Sequence, residues 1–326
     1  MKICIIGAGS IGGLIGVRLA AAGHQVNAIA RGATLAALRE HGWRADSGGR
    51  RIDAPVGMVS EHGEALGPQD LIFIAVKGQS LTAVAERIGP LLGENTIVVP
   101  AMNGVPWWFC EPVAGFPGGT LQSVDPGGTI GAAIATDRVL GCVVHISASS
   151  PEPGLVNHAM GDGLIIGEPG GGRSERAQRV CDLLAGAGFT ATHHDNVREP
   201  IWYKLWGNLT MNPISAITGA TIDKLLADPL VRGFCSAAMI EANKIGAGIG
   251  CPIDESPEAR HAITARLGGF KTSMLQDAEA GRTIELDGIV GAVVEIARRL
   301  EIETPNIDAL FGLTRLFGRM HGLYPG

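Results

Sequence analysis

The 326-residue chain has no CxxC pair, no cluster of Lys and Arg, and no uninterrupted apolar span long enough for a bilayer. Each absence removes a class of function. Cys4, Cys110, Cys142, Cys181, Cys235 and Cys251 are scattered without metal-type spacing. Cys4 in an apolar strand and Cys181 in an amphipathic helix read as buried free thiols. His193-His194-Asp195 does not make a metal site, because adjacent side chains on a strand point to opposite faces and no further ligand stands at a suitable spacing. A net charge of −6 and a pI near 5.9, without basic clusters interleaved with aromatics, argue against a nucleic-acid partner. There is no GxSxG elbow and no GxxxxGK[ST] loop, which removes the usual support for a serine hydrolase or a P-loop nucleotidase. The chain opens directly on an apolar strand, Lys2–Ile6, leaving no n-region, h-region and cleavage site. A cytoplasmic protein with no membrane segment is expected.

What is present is a chain 46% apolar, long enough for two cores. Its first half alternates apolar runs (Ile3–Ile6, Val26–Ile29, Leu71–Val76, Thr96–Val99) with helix-period stretches (Ile11–Ala22, Leu35–His41, Leu81–Leu92). Such alternation reads as βαβ units and a parallel sheet. Residues 41–59 are polar and glycine-rich and suit a small inserted hairpin. Thr129–Ala135, Val139–Ser147, Gly154–His158 and Gly163–Ile166 are short, glycine-bounded and β-rich, as in an antiparallel extension. A helix over Arg176–Ala187 and a strand over Thr190–Thr192 follow. Beyond about Asn196 only helical patterns remain: Glu199–Ile217, Asp223–Ile249, Ser256–Ala265, Ser273–Ala280, Ile289–Leu300 and Ile307–His321. The expected architecture is α/β, with a Rossmann-like dinucleotide-binding domain over residues 1–196 and an all-helical domain over 197–326.

Gly7-Ala8-Gly9-Ser10-Ile11-Gly12 is GxGxxG between a strand and a helix. Its first glycine permits the tight turn, its second lets backbone approach a pyrophosphate, and its third allows close helix–strand packing. The phosphates would sit at the helix N-terminus. Where an NAD site carries an acid after the second strand, this sequence has Ala30-Arg31-Gly32, and the nearest acid, Glu40, lies well into the next helix. A guanidinium pairs with a 2′-phosphate, so NADPH (or NADP+) is the expected cofactor; the other reading of Arg31 is a solvated surface side chain.

In Trp202–Pro213, residues Lys204, Asn208 and Asn212 stack on one helix face, while Trp202, Leu205, Trp206, Leu209 and Met211 occupy the others. A helix this apolar is expected to be buried, and its polar stripe needs partners or a ligand. Alternatively the stripe faces solvent or bonds a loop. Pro213 is expected to kink or end the helix. A second polar set runs through Lys271–Asp277 and Thr283–Asp287, where helix caps and surface acids are the plain alternative.

With these residues in view, the chain resembles the ketopantoate reductase (2-dehydropantoate 2-reductase) family across nearly its whole length. The resemblance rests on the glycine turn, Arg31, Val76-Lys77, Asn103-Gly104-Val105, the Lys204/Asn208/Asn212 stripe, Ser273–Asp277 and Glu285. It implies a helical domain closing over a dinucleotide domain, and NADPH-dependent reduction of a 2-keto acid, ketopantoate, in pantothenate biosynthesis. It further implies Lys204 as general acid and Glu285 as an active-site acid. Asn208, Asn212 and Ser273 are implied to hold substrate, and Lys77 and Asn103 to sit at the rim shared by cofactor and substrate. Some relatives are dimers, so a homodimer is one arrangement it allows. One departure stands out: Pro106-Trp107-Trp108-Phe109-Cys110 follows Val105. These aromatics either reshape a pocket for a different keto acid or form a hydrophobic plug packing the helix against the sheet. A related dehydrogenase acting on another 2-keto or 3-hydroxy acid therefore stays open, as does a non-catalytic NADPH-binding regulator.

Overall fold

The computed structural model describes residues 1–325 and falls into two compact units. The first takes residues 1–103 and 128–200; the second takes residues 104–127 and everything from Ile201 onward. The expected division at 196/197 lies close to the last of these crossings. The excursion of residues 104–127 into the helical unit was not anticipated.

The first unit runs β1 (Ile3–Ile6), α1 (Ser10–Ala21), β2 (Val26–Ile29), α2 (Gly32–His41), β3 (Trp43–Ser47), β4 (Arg50–Ala54), β5 (Val59–Ser60), β6 (Gln69–Ile74), α3 (Leu81–Ala85) and β7 (Leu92–Pro100). It resumes with α4 (Thr129–Ala133), β8 (Gly141–Glu152), β9 (Leu155–Gly167), α5 (Glu175–Gly186) and β10 (Thr190–His193). Strands β5-β2-β1-β6-β7 form a parallel sheet in that order. All four residues of β1 and Leu71–Ile74 of β6 are buried, as continuous apolar runs covered on both faces require. The chain winds outward from β1 in one direction through β2 and in the other through β6. This places a topological switch at the carboxyl ends of β1 and β6, where such sheets bind ligands.

The antiparallel extension takes the form of a second sheet, ordered β10-β9-β3-β4, with β8 also on β9. The β8–β9 and β3–β4 pairs are antiparallel, while β9 runs parallel to β3 and β10. The hairpin expected near residues 41–59 is β3–β4. Helix α1 lies between the sheets, and glycines make room on both of its sides. A Cβ on Gly12 would stand 2.9 Å from Ile5 of β1, and one on Gly16 would stand 2.6 Å from the Trp43 ring of β3. That double burial explains why α1 is apolar almost all round.

Two local expectations are overturned in this unit. The helix expected over Leu81–Leu92 stops at Ala85 as α-helix, because Gly89-Pro90 breaks it and β7 begins at Leu92. Thr129–Ala135, expected as strand, contains α4 instead. Gly127 and Gly128 both adopt positive φ (69° and 73°) and start a helical turn whose Gly and Ala residues have little strand preference.

The second unit is helical: α6 (Arg198–Thr218, whose body from Ile201 belongs here), α7 (Ile222–Ala227), α8 (Pro229–Gly248), α9 (Pro257–Ala265), α10 (Ser273–Glu279), α11 (Ala292–Arg299) and α12 (Pro305–Met320). A π-helical turn, Asp287–Gly291, leads into α11. Helix α6 buries Trp202, Leu205, Trp206 and Leu209 almost completely, and the Trp206 indole donates to the Met239 carbonyl at 2.8 Å. Pro213 does not end this helix, which continues to Thr218; the proline only deprives the Leu209 carbonyl of its usual donor. The single helix expected over Asp223–Ile249 is broken at Asp228. Its carboxylate accepts from the amides of Leu230 and Val231, and Pro229 opens α8. Among the described residues, no helix is long and apolar enough to cross a membrane.

Candidate active site

Beyond the carboxyl end of β1, Gly7 adopts φ +90° and any Cβ there would meet Val76 at 2.7 Å and the Ala75 carbonyl oxygen at 2.8 Å. Only glycine fits this turn. A Cβ on Gly12 would stand 2.1 Å from the Gly7 carbonyl oxygen, so the third glycine is what lets the turn close. Gly9 differs. Its missing side chain faces open space, and it caps α1 with no side-chain hydrogen bond. The first amides of α1 are thus left for an external acceptor, the arrangement that binds phosphate.

Gly7, Ala8 and Gly9 line a cavity of about 380 Å³ together with Ala30 and Arg31 from the β2–α2 turn and Thr34 from the first turn of α2. This volume lies in the range of small-molecule sites. Arg31 is the N-cap of α2, in extended conformation, with an exposed side chain. A glycine cradle that runs up to the N-cap of α1 and a guanidinium in one cavity match the donors that a phosphorylated dinucleotide needs, so the residues present fit NADPH. Ser10, Ile11 and Gly12 do not line this cavity. Ser10 bonds Ser150 across an exposed 3.2 Å contact, Ile11 packs against the core, and Gly12 faces β1.

Lys77 and Asn103 follow the carboxyl ends of β6 and β7, on the same edge of the sheet as the glycine turn. Both are half-buried. The cavity also draws in residues that the sequence did not single out. Ser80 and Val84 line it from the start and body of α3, Arg87 and Leu91 from the turns that follow that helix, and Glu61 arrives from just beyond β5. Nothing local marks Glu61, which is brought in by a two-residue strand.

In the helical unit, Lys204, Asn208 and Asn212 do lie on one face of α6. Lys204 and Asn208 are half-buried and Asn212 is buried, so the stripe is not a solvent face. Ser273 is the exposed first residue of α10, whose cap is Thr272, accepting from the Leu275 amide at 3.1 Å. The Thr272 hydroxyl also bonds that of Ser215, which in turn donates to the Asn212 carbonyl at 2.9 Å. This chain of bonds ties the start of α10, and with it Ser273, to the end of the polar stripe.

Glu285 is half-buried just ahead of the π turn. The turn is held from two directions. The Val105 amide donates to the Gly288 carbonyl, and the Tyr324 hydroxyl donates to Asp287. Burial pushes the Asp287 carboxyl above the usual carboxylate range, partly opposed by that hydrogen bond and by Arg315.

The aromatic run after Val105 is buried and belongs to the helical unit, whereas the plug expected from the sequence packed a helix against the sheet. Trp107, Trp108 and Phe109 are at most 2% exposed, and the Phe109 ring stacks on Trp202 of α6 with centroids 6.0 Å apart at 20°. Trp108 and Phe109 also meet, with ring centroids 6.3 Å apart, so the run packs within the helical unit.

The ketopantoate reductase PanE/ApbA family model matches residues 3–171, and the ketopantoate reductase PanE/ApbA C-terminal model matches residues 196–317. The chain belongs to the ketopantoate reductase family. A 2-dehydropantoate 2-reductase from Mesorhizobium japonicum is 42% identical over 99% of this chain and 100% of its own. A solved candidate ketopantoate reductase from Ralstonia solanacearum MolK2 is 49% identical, covers 99% of both chains and superposes with a TM-score of 0.95. A D-mandelate dehydrogenase solved with NADH and anilino(oxo)acetate is 22% identical over 99% of this chain and all of its own, at a TM-score of 0.85. At that identity it shares the fold alone.

Proposed function

We propose that this enzyme reduces 2-dehydropantoate (ketopantoate) to pantoate with NADPH. The observation that carries the cofactor half is the cavity where Gly7, Ala8 and Gly9 meet Arg31. The substrate half is supported by full-length identity to the Mesorhizobium reductase. Bound in the cavity, NADPH supplies the hydride.

The chain's own residues supply the rest. The Lys204 ammonium stabilises the negative charge that develops on the keto oxygen and delivers the proton there. Asn208, Asn212 and Ser273 orient the hydroxyl and carboxylate of the substrate, and a site built of such groups rejects analogues that lack the matching polar atom. Glu285 provides a carboxylate beside the reacting groups. Lys77 and Asn103, at the carboxyl edge of the sheet, hold the rim shared by cofactor and substrate. The enzyme works in the cytoplasm and forms a homodimer in this reading, the latter supported by the exposed apolar side chains of Leu313, Leu316 and Met320 on α12.

The test is a panel of 2-keto acids assayed in parallel with NADPH and NADH, and of 3-hydroxy acids with NADP+ and NAD+, followed by absorbance. Preferred turnover of ketopantoate with NADPH is expected. No turnover of ketopantoate at high enzyme, alongside turnover of another acid, would transfer the assignment to a related dehydrogenase.

A further inference from the structure

The cavity beside the glycine turn has three charged side chains in its lining: Arg31, Glu61 and Arg87. They come from separate places in the chain. Arg31 ends the β2–α2 turn, Glu61 follows β5, and Arg87 follows α3. Arg87 lines the cavity from the turn just after α3, where its amide donates to the Val84 carbonyl at 3.0 Å. All three side chains are exposed to solvent.

The signs decide what this mouth prefers. Arg31 alone is opposed by Glu61, leaving a site with no net charge, and such a site discriminates poorly between a ribose hydroxyl and a ribose phosphate. Glu61 by itself would favour the hydroxyl, since a carboxylate accepts a hydrogen bond from it and repels a phosphate. A 2′-phosphate carries between one and two negative charges and three acceptor oxygens, more than one guanidinium satisfies. Arg87 makes the cavity net cationic.

Resting on the reading that this cavity takes NADPH, we propose that Arg87 is a second guanidinium for the 2′-phosphate and a determinant of NADPH over NADH. Arg31 approaches the phosphate from the β2–α2 turn and Arg87 from the turn after α3, with Glu61 setting the penalty that a single arginine could not overcome.

The test is direct binding, without keto acid, by fluorescence titration of NADPH and NADH into the wild-type protein and the R87A, R87K and E61Q variants. R87A is expected to weaken NADPH about ten- to hundredfold, the size of one charge-assisted hydrogen bond, and to change NADH by less than about twofold. R87K should recover part of the loss, since it keeps the charge without the planar fork. E61Q should tighten NADPH. Unchanged NADPH binding in R87A would overturn the proposal, and so would equal weakening of both dinucleotides, which would mean contact with the shared adenosine. Failure of the wild-type protein to bind NADPH at all would overturn the reading beneath it as well.

Discussion

Val105 donates its backbone amide to the carbonyl of Gly288 at 2.8 Å, joining the loop after β7 to the π turn that follows Glu285. The approach is so close because Gly104 has no side chain. It adopts φ +83°, and a Cβ there would stand 2.5 Å from the Gly288 oxygen. A π turn is an uncommon local form that tends to occur at functional sites, and here a backbone hydrogen bond pins it.

Gly104→Ala should therefore do two things. Left-handed strain and the clash with Gly288 together are expected to cost about 1–3 kcal/mol of stability, read from urea denaturation. Displacement of the π turn should also lower kcat through Glu285. A variant as stable and as active as wild type would show that this junction does not position the acid.

Lys204→Ala is expected to reduce kcat about 10²- to 10⁴-fold, the usual contribution of a positioned proton donor. The affinity for NADPH in a fluorescence titration should not move, because the dinucleotide cavity lies in the other unit. An unchanged turnover rate would remove Lys204 from the chemistry.

Phe109→Ala separates packing from specificity. Deleting a fully buried ring stacked on Trp202 should destabilise the protein by about 3–5 kcal/mol. The ranking of keto acids in the panel should stay the same. A changed ranking at constant stability would restore the aromatics to a role in substrate choice.

Glu295 gives the pH prediction. Its carboxylate accepts from the amides of Gln122 and Ser123, from the Ser123 hydroxyl and from Arg299. Burial pushes its pKa up, but those donors outweigh burial and leave it below the ordinary value of 4.5. A carboxylate depressed in the folded state adds stability above its unfolded value, and that stability is lost as pH falls below 4.5 through the folded value. Glu295→Gln should thus lower the urea midpoint at neutral pH and flatten its fall below about pH 4.5. Parallel curves for the two proteins would exclude this contribution.

Much of this molecule can be read from its residues. Apolar runs such as Ile3–Ile6 announce buried parallel strands, and the glycine turn announces the cavity, because both depend on local spacing. The Lys204, Asn208 and Asn212 stripe is equally plain on a helix whose other faces are tryptophan and leucine. Elements decided by caps read less well: Asp228-Pro229 splits a helix that periodicity alone joins, and the paired glycines before Thr129 convert an apolar run into a helical turn. Least legible are relationships over distance. Glu61 reaches the cavity by way of β5, and Phe109 finds its partner at Trp202, about a hundred residues along the chain. Neither position has a sequence neighbour that hints at its destination.

The passage of residues 104–127 into the helical unit bears on whether either half can exist alone. The backbone leaves the first unit after Asn103, returns at Gly128 and departs again after Pro200. No single cut in the backbone separates the two. A fragment starting at Ile201 lacks the Phe109 ring that stacks on Trp202, and a fragment ending at Pro200 carries that ring without its partner. Limited proteolysis should consequently yield a nicked molecule that stays associated through the excursion, rather than two freely diffusing pieces.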